Sequence, residues 1–225
     1  MNYQLYKFDE IPSTQEHAHD LIAKGVAHDR TIIVADAQSA GRGRYRRTWI
    51  SNPGNLYASF VYKTEKRDPR LSYCVAVAIA ETLISFGVAP QIKWPNDILI
   101  ARKKVSGTLI EYSKDFVIVG IGINIKSNPA GLGYETTKID RHKRGVSRDA
   151  LLAALAEKMD VWMECLSAGN FAAVRARWME LAAGLNSEIK YQGKPAILCE
   201  INLDGALVLR RGNDYILALG DEISI

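Results

Sequence analysis

The chain has 225 residues, 48% hydrophobic and 24% charged, with a formal net charge of +4. That length buries a sizeable core, either in one large domain or in one domain with a small appendage, and the composition excludes a disordered, collagen-like or disulfide-stapled chain. A surplus of four cations is too small to define a nucleic-acid binder by bulk charge, so what matters is where the charge sits.

The N-terminus, MNYQLYKFDEIPSTQ, lacks the basic stretch followed by an apolar one that marks a signal peptide. The apolar run at 74–80 falls far short of the about 20 residues of a membrane span. Cys74, Cys165 and Cys199 are scattered and form no C-x-x-C pair. Free, mostly buried thiols in a reducing, cytoplasmic compartment are therefore expected. His17 and His19 point to different faces of one helix and make no metal site.

Ser13 and Glu16 have the spacing of a capping box, which predicts a helix over 14–24 stopped by Gly25. The β-branched run at 31–35 reads as a strand. A segment rich in Gly, Arg and Ser follows at 38–55, and strand character resumes at 56–62. A long helix is predicted over 70–86, then strands at 91–94 and 98–101, interrupted by Pro95-Asn96-Asp97. Runs at 104–112 and 116–125 form a hairpin with Ser113-Lys114-Asp115 as its turn. A polar loop at 126–146 ends in a basic stretch, 138–144. Ser147 and Asn170 cap two further helices, to about 167 and about 183. Residues 187–225 carry no helical period and read as four or five short strands. The fold class is thus α+β: a mixed-sheet domain flanked by helices over 1–185, and a small C-terminal β-barrel over 186–225.

Four segments carry chemistry. Gly41-Arg42-Gly43-Arg44-Tyr45-Arg46-Arg47 places four arginines in seven residues, and no Gly-Lys-Ser/Thr makes it a Walker A loop. Glycines expose backbone N–H groups, and arginine forks take carboxylate or phosphate. Read alone, this is equally a solvated basic loop. Lys93-Trp94-Pro95-Asn96-Asp97 sets a cation, an amide and a carboxylate at a strand end, where a plain turn is the simpler reading. Lys104-Val105-Ser106-Gly107 opens a strand with a lysine, and Gly120-Ile121-Gly122-Ile123-Asn124 alternates two glycines inside a buried one. Glycine inside a strand marks a bulge or a ligand lying on the sheet. There is no Gly-x-Ser-x-Gly and no Cys/His pair to supply a covalent nucleophile. Together the segments suit direct attack on a nucleoside triphosphate, with cations stabilising charge at phosphorus.

In order, these residues resemble the biotin–protein ligases, also called biotin–[acetyl-CoA carboxylase] ligases. The match runs from Ser13-Thr14-Gln15 through Gln38, Gly41-Arg42-Gly43-Arg44, Trp49, Ser51 and Asn55-Leu56-Tyr57 to the three later segments. The resemblance implies a mixed-sheet catalytic domain followed by an SH3-like β domain. It implies formation of biotinyl-5′-AMP from biotin and ATP, then transfer of biotin to a specific lysine of a biotin carboxyl carrier domain.

By the same resemblance, Arg42 and Lys104 hold the biotin carboxylate against the α-phosphate, with Arg44 assisting. Lys93 and Asp97 border the phosphates, Asp97 organising Mg²⁺ through water. Ser13, Thr14, Gln15 and Gln38 face the bicyclic end of biotin, Gly43 lies in the loop that closes over the ligand, and Gly107 gives the ring room. Trp49 covers adenine and Asn124 reads its edge. The sequence departs from the family at Gln15, where Asn is common, and near Ile197 and Glu200, where glycines are common. The ligase pattern begins about a dozen residues from Met1, so a monofunctional ligase without an N-terminal helix-turn-helix is expected. A homodimer is expected, with no membrane partner and no specific DNA binding. The competing readings are a related lipoate or acyl ligase and a nucleic-acid-binding regulator using the basic loop and the 138–148 run. That run is otherwise a solvated loop or a docking surface for an acidic carrier.

Overall fold

A computed structural model describes residues 3–219, 223 and 224. Two sheets organise them. The first has seven strands: β1 (Gln4–Ile11), β2 (Thr31–Gln38), β3 (Leu56–Lys63), β4 (Pro90–Lys93), β5 (Asp97–Ile100), β6 (Lys103–Ser113) and β7 (Phe116–Ile123), in the order β1-β2-β3-β7-β6-β5-β4. Only β1 and β2 run parallel; the other neighbours are antiparallel, so the sheet is mixed. The second is a five-stranded antiparallel sheet of β8 (Glu188–Tyr191), β9 (Lys194–Ile201), β10 (Leu207–Arg211), β11 (Asp214–Ala218) and β12 (Ile223–Ser224), in the order β11-β10-β9-β8-β12.

Strand alternation sends one face of the large sheet against three helices: α2 (Leu71–Ser85), α3 (Arg148–Ser167) and α4 (Phe171–Leu181). Helix α2 is apolar all round because it lies between the sheet and the outer helices, and Val75, Val77, Ile79 and Leu83 are fully buried. The opposite face is covered only at one end, by α1 (Thr14–Ala23), through Ala18, Leu21 and Ile22 packed on Ile33, Val61 and Ile118. The rest of that face is open to carry the site. Ser13, Ser147 and Asn170 cap α1, α3 and α4 with their side-chain oxygens, satisfying N–H groups that helix geometry leaves over.

The sequence reading missed β1, an edge strand whose Lys7, Asp9 and Glu10 face solvent and mask its period. It also expected mostly buried thiols. Cys74 alone is buried, and burial pushes its thiol up; Cys165, on the outer helix α3, and Cys199, on β9, are half-buried. No helix among the described residues is long and apolar enough to cross a membrane.

Glu81 of α2 ties the three helices together. Its carboxylate accepts from Arg177 at 3.0 Å and Trp162 at 3.2 Å and pairs with Lys158 at 3.1 Å. Burial alone would raise this carboxyl, but the hydrogen bonds from Lys158, Trp162 and Arg177 prevail and hold it below the usual range. A depressed carboxyl adds stability above its unfolded pKa that is lost as pH falls through the folded value. Glu81→Gln should cost about 1–3 kcal/mol at pH 7 and flatten the loss of stability on acidification through and below the ordinary carboxylate range. Urea unfolding at several pH values checks both.

Candidate active site

Residues directly opposite across antiparallel strands point to one face. One such row crosses the large sheet: Lys93 opposite Asp97, Asp97 opposite Gly107, Gly107 opposite Gly122, and Gly122 opposite Tyr57. A cation, a carboxylate and two positions without side chains therefore lie side by side on the open face. Lys104 joins them through a bulge. Ile98 pairs with Ser106 but the next residue, Leu99, pairs with Lys104, leaving Val105 as the extra residue. Without it, Lys104 and Gly107, three apart, would face opposite sides. With it, Lys104 Nζ stands 2.5 Å from Asp97 Oδ1, and both side chains are largely buried.

The cleft on this face has a volume of 810 Å³. Around it the structure brings together Ser13, Thr14, Gln15, Gln38, Arg42, Gly43, Arg44, Trp49, Lys93, Asp97, Lys104 and Gly107. Asn124 does not line it. Asn124 is buried, donates from Nδ2 to the Thr137 carbonyl at 3.1 Å, and leaves Oδ1 without a partner among the described residues.

Neither glycine of the 120–122 segment is a bulge, since β6 and β7 pair without interruption. The gaps are filled by side chains of the protein itself. A Cβ on Gly122 would lie 2.5 Å from the Trp49 indole, and one on Gly120 2.6 Å from Gln15 Oε1. Trp49 also lies over Gly107 and beneath the ammonium of Lys104, 5.4 Å from its ring centre. Its Nε1 is buried and has no partner among the described residues. At the other end, Gln38 Oε1 accepts from the Thr14 N–H at 2.8 Å and its amide donates to Ser51 at 2.8 Å.

The arginine loop is pinned on two sides. Arg42 donates to Glu111 of β6 at 2.6 Å, and His19 of α1 takes the other oxygen of that carboxylate at 3.0 Å. Arg44 donates to Asn96 Oδ1 at 3.0 Å, so the loop rests on the Trp94–Asn96 turn. Tyr45 and Arg46 at its tip hold left-handed backbone angles, φ 54° and 59°.

Three contributors escaped the sequence reading. Ser59 donates to Thr14 at 2.9 Å and lies 3.0 Å from Gln15 Oε1; its signal was a hydroxyl in an apolar strand. Glu111 was a lone acid in a strand. Tyr134 comes from the 126–146 loop, which runs beside Lys104 through the bonds Lys104 N–H to Glu135 and Thr137 N–H to Lys104. That places the Tyr134 ring centre 5.4 Å from Lys104 Nζ. Arg141, Lys143 and Arg144 of the basic run are exposed.

This fold and this cleft are those of an α+β ligase domain. The model of the biotin/lipoate A/B protein ligase family matches residues 7–128, more than half of the chain, and the chain belongs to that family. A biotin–[acetyl-CoA-carboxylase] ligase of Paracoccus denitrificans is 32% identical over 79% of this chain and 83% of its own length. The bifunctional ligase/repressor BirA of Bacillus subtilis is 32% identical over 84% of this chain. The chain spans 63% of that relative and 41% of the Bacillus spizizenii one. The structure of the Aquifex aeolicus biotin protein ligase in complex with biotin and ATP superimposes with a TM-score of 0.89 and 26% identity, covering 98% of this chain and 97% of its own.

Trp49 can rest on β7 only while position 122 has no side chain. Gly122→Ala should displace the indole at a cost of about 1–3 kcal/mol. The tryptophan emission should shift to the red and become more quenchable by iodide, and the change should vanish in a Trp49→Phe background.

Proposed function

We propose that the chain is an ATP-dependent biotin–protein ligase. The observation that carries this reading is the row of Lys93, Asp97 and two side-chain gaps with Lys104 delivered onto it by a bulge. The ligands named for the Aquifex relative, biotin and ATP, support it. The gaps accept a flat ligand against the backbone. The lysines and loop arginines offset the repulsion of a carboxylate approaching a triphosphate.

In the first step a carboxylate oxygen of biotin attacks the α-phosphorus, the bond to pyrophosphate breaks, and the mixed anhydride biotinyl-5′-AMP forms. Lys104 has three donors and can keep Asp97 while reaching a ligand oxygen. Lys93 borders the phosphates, and Arg44 assists from the loop. Arg42 exchanges Glu111 for the biotin carboxylate when the loop closes. Ser13, Thr14, Gln15 and Gln38 meet the neutral bicycle. Trp49 lifts from the gaps to cover adenine, while Asn124, buried outside the cleft, keeps its bond to the Thr137 carbonyl. Mg²⁺ bound with ATP would neutralise phosphate charge, and Asp97 would be the residue to hold it, since Mg²⁺ is held by one or two carboxylates with phosphates and water.

In the second step the neutral ε-amine of an acceptor lysine on a biotin carboxyl carrier domain attacks the anhydride carbonyl. An amide forms, AMP leaves and the amine loses its proton. The closed loop keeps water from the anhydride until then. The exposed Arg141, Lys143 and Arg144 suit docking of an acidic carrier. The reading divides the chain into a catalytic unit, 1–185, and an SH3-like unit, 186–225, supported by the two separate sheets. A homodimer in the cytoplasm completes it.

Purified protein should release pyrophosphate from ATP when biotin is present and not without it. Lys104→Ala should lower that rate by about 10²–10³. Release driven by lipoate and not by biotin would overturn the reading.

A further inference from the structure

Tyr73, on the first turn of α2, has a hydroxyl whose two partners both lie outside its own helix. It accepts from the Trp94 indole N–H at 3.0 Å and donates to the Gly205 carbonyl at 2.7 Å. Trp94 belongs to the turn between β4 and β5, directly beside Lys93. Gly205 belongs to the turn between β9 and β10 of the small sheet. A single buried hydroxyl therefore joins the second sheet to the turn that carries Lys93 and Asp97.

The surroundings fix this hydroxyl in place. The Tyr73 ring packs edge-on against Trp178 at 5.6 Å and against Phe171 at 5.8 Å, and both tyrosine and Trp94 are buried. The Gly205 turn is closed by Asn202, whose Oδ1 accepts from the N–H groups of Asp204 and Ala206. Gly205 has φ +87°, and a Cβ there would stand 2.9 Å from Arg70 Cγ, so the turn sits hard against the start of α2. Packing alone would be served by phenylalanine at 73. What the hydroxyl adds is satisfaction of a buried N–H and a buried C=O at once.

We propose that Tyr73 is a positioning residue for the Lys93–Asp97 turn, and that the small C-terminal sheet acts on the cleft through it. The kinetic part rests on the ligase reading above. Losing the hydroxyl leaves the Trp94 N–H unpaired in the core and releases the turn that aims Lys93 at the phosphates, while Lys104 stays held by its own bulge on β6. The other end of the cleft, with Ser13, Thr14 and Gln38, is built from α1 and β2 and is untouched. The defect should therefore fall on turnover and not on biotin recognition.

The test compares Tyr73→Phe, Gly205→Ala and the double variant with the wild type. The first readout is the indole ¹H–¹⁵N resonance of Trp94, which needs no activity. It should move in both single variants. The second is biotin-dependent pyrophosphate release. Each single variant should lower kcat by about tenfold with the KM for biotin unchanged. The double variant should be no worse than the more impaired single one, because both break one chain of contacts. Adverse results are an unmoved Trp94 resonance in Gly205→Ala, an unchanged kcat in Tyr73→Phe, or losses that multiply in the double variant. Any of these overturns the proposal. If Tyr73→Phe does not fold, Gly205→Ala alone decides through the Trp94 resonance and kcat. A wild type that releases no biotin-dependent pyrophosphate would refute the ligase reading instead, leaving the resonance to test the contact.

Discussion

A lysine and an aspartate on adjoining strands, 2.5 Å apart and largely buried, set the terms for the rest of the molecule. Removing two charges from water is costly, and their attraction alone seldom repays it. Such a pair is better understood as a charge held ready than as a source of stability. The sheet holds it there. Asp97 is fixed by the tight turn from β4, and Lys104 by the one-residue bulge at Val105, whose side chain is buried in the core. The neighbouring positions, 107 and 122, are glycines, which leaves the pair beside a stretch of backbone covered by the Trp49 indole and, at 107, by Lys104 itself.

Around that fixed floor the polar parts are tied by contacts that can be exchanged. Arg42 is bound to Glu111, with its side chain 40% exposed, and Arg44 to Asn96. Ion pairs as accessible as the first are worth about 0–1 kcal/mol. A ligand carboxylate or phosphate therefore competes for these arginines at little cost, and the loop can change partners without disturbing the sheet. Trp49 behaves alike: its indole rests on two glycines beneath the Lys104 ammonium, its N–H unpaired among the described residues. The rigid floor and the exchangeable cover are complementary requirements of the proposed chemistry, which must admit two anions and then exclude water.

The strands and helices were legible where their residues face a core. The strand run at 56–62, the caps at Ser13, Ser147 and Asn170, and the hairpin turn at 113–115 all correspond to observed elements. Strand β1 was not legible, because an edge strand with charged outward residues lacks the apolar signal. The four chemical segments could be read from composition, yet their meeting depends on registers between strands far apart in sequence. The spacing of Lys104 and Gly107 even points the wrong way, since three residues in a regular strand reach opposite faces; the bulge that corrects it leaves no mark in the sequence. Glu111 and Tyr134 were invisible for a related reason. Each reaches the site from an element whose own pattern says only strand or loop.

The central claim is that Lys104 is the charge partner of the ligand carboxylate. Calorimetric titration with biotin and with biotinol, its uncharged alcohol analogue, tests it directly. Wild type should bind biotin more tightly than the alcohol, and Lys104→Ala should bind the two alike. Full retention of the preference for biotin in Lys104→Ala would contradict the account.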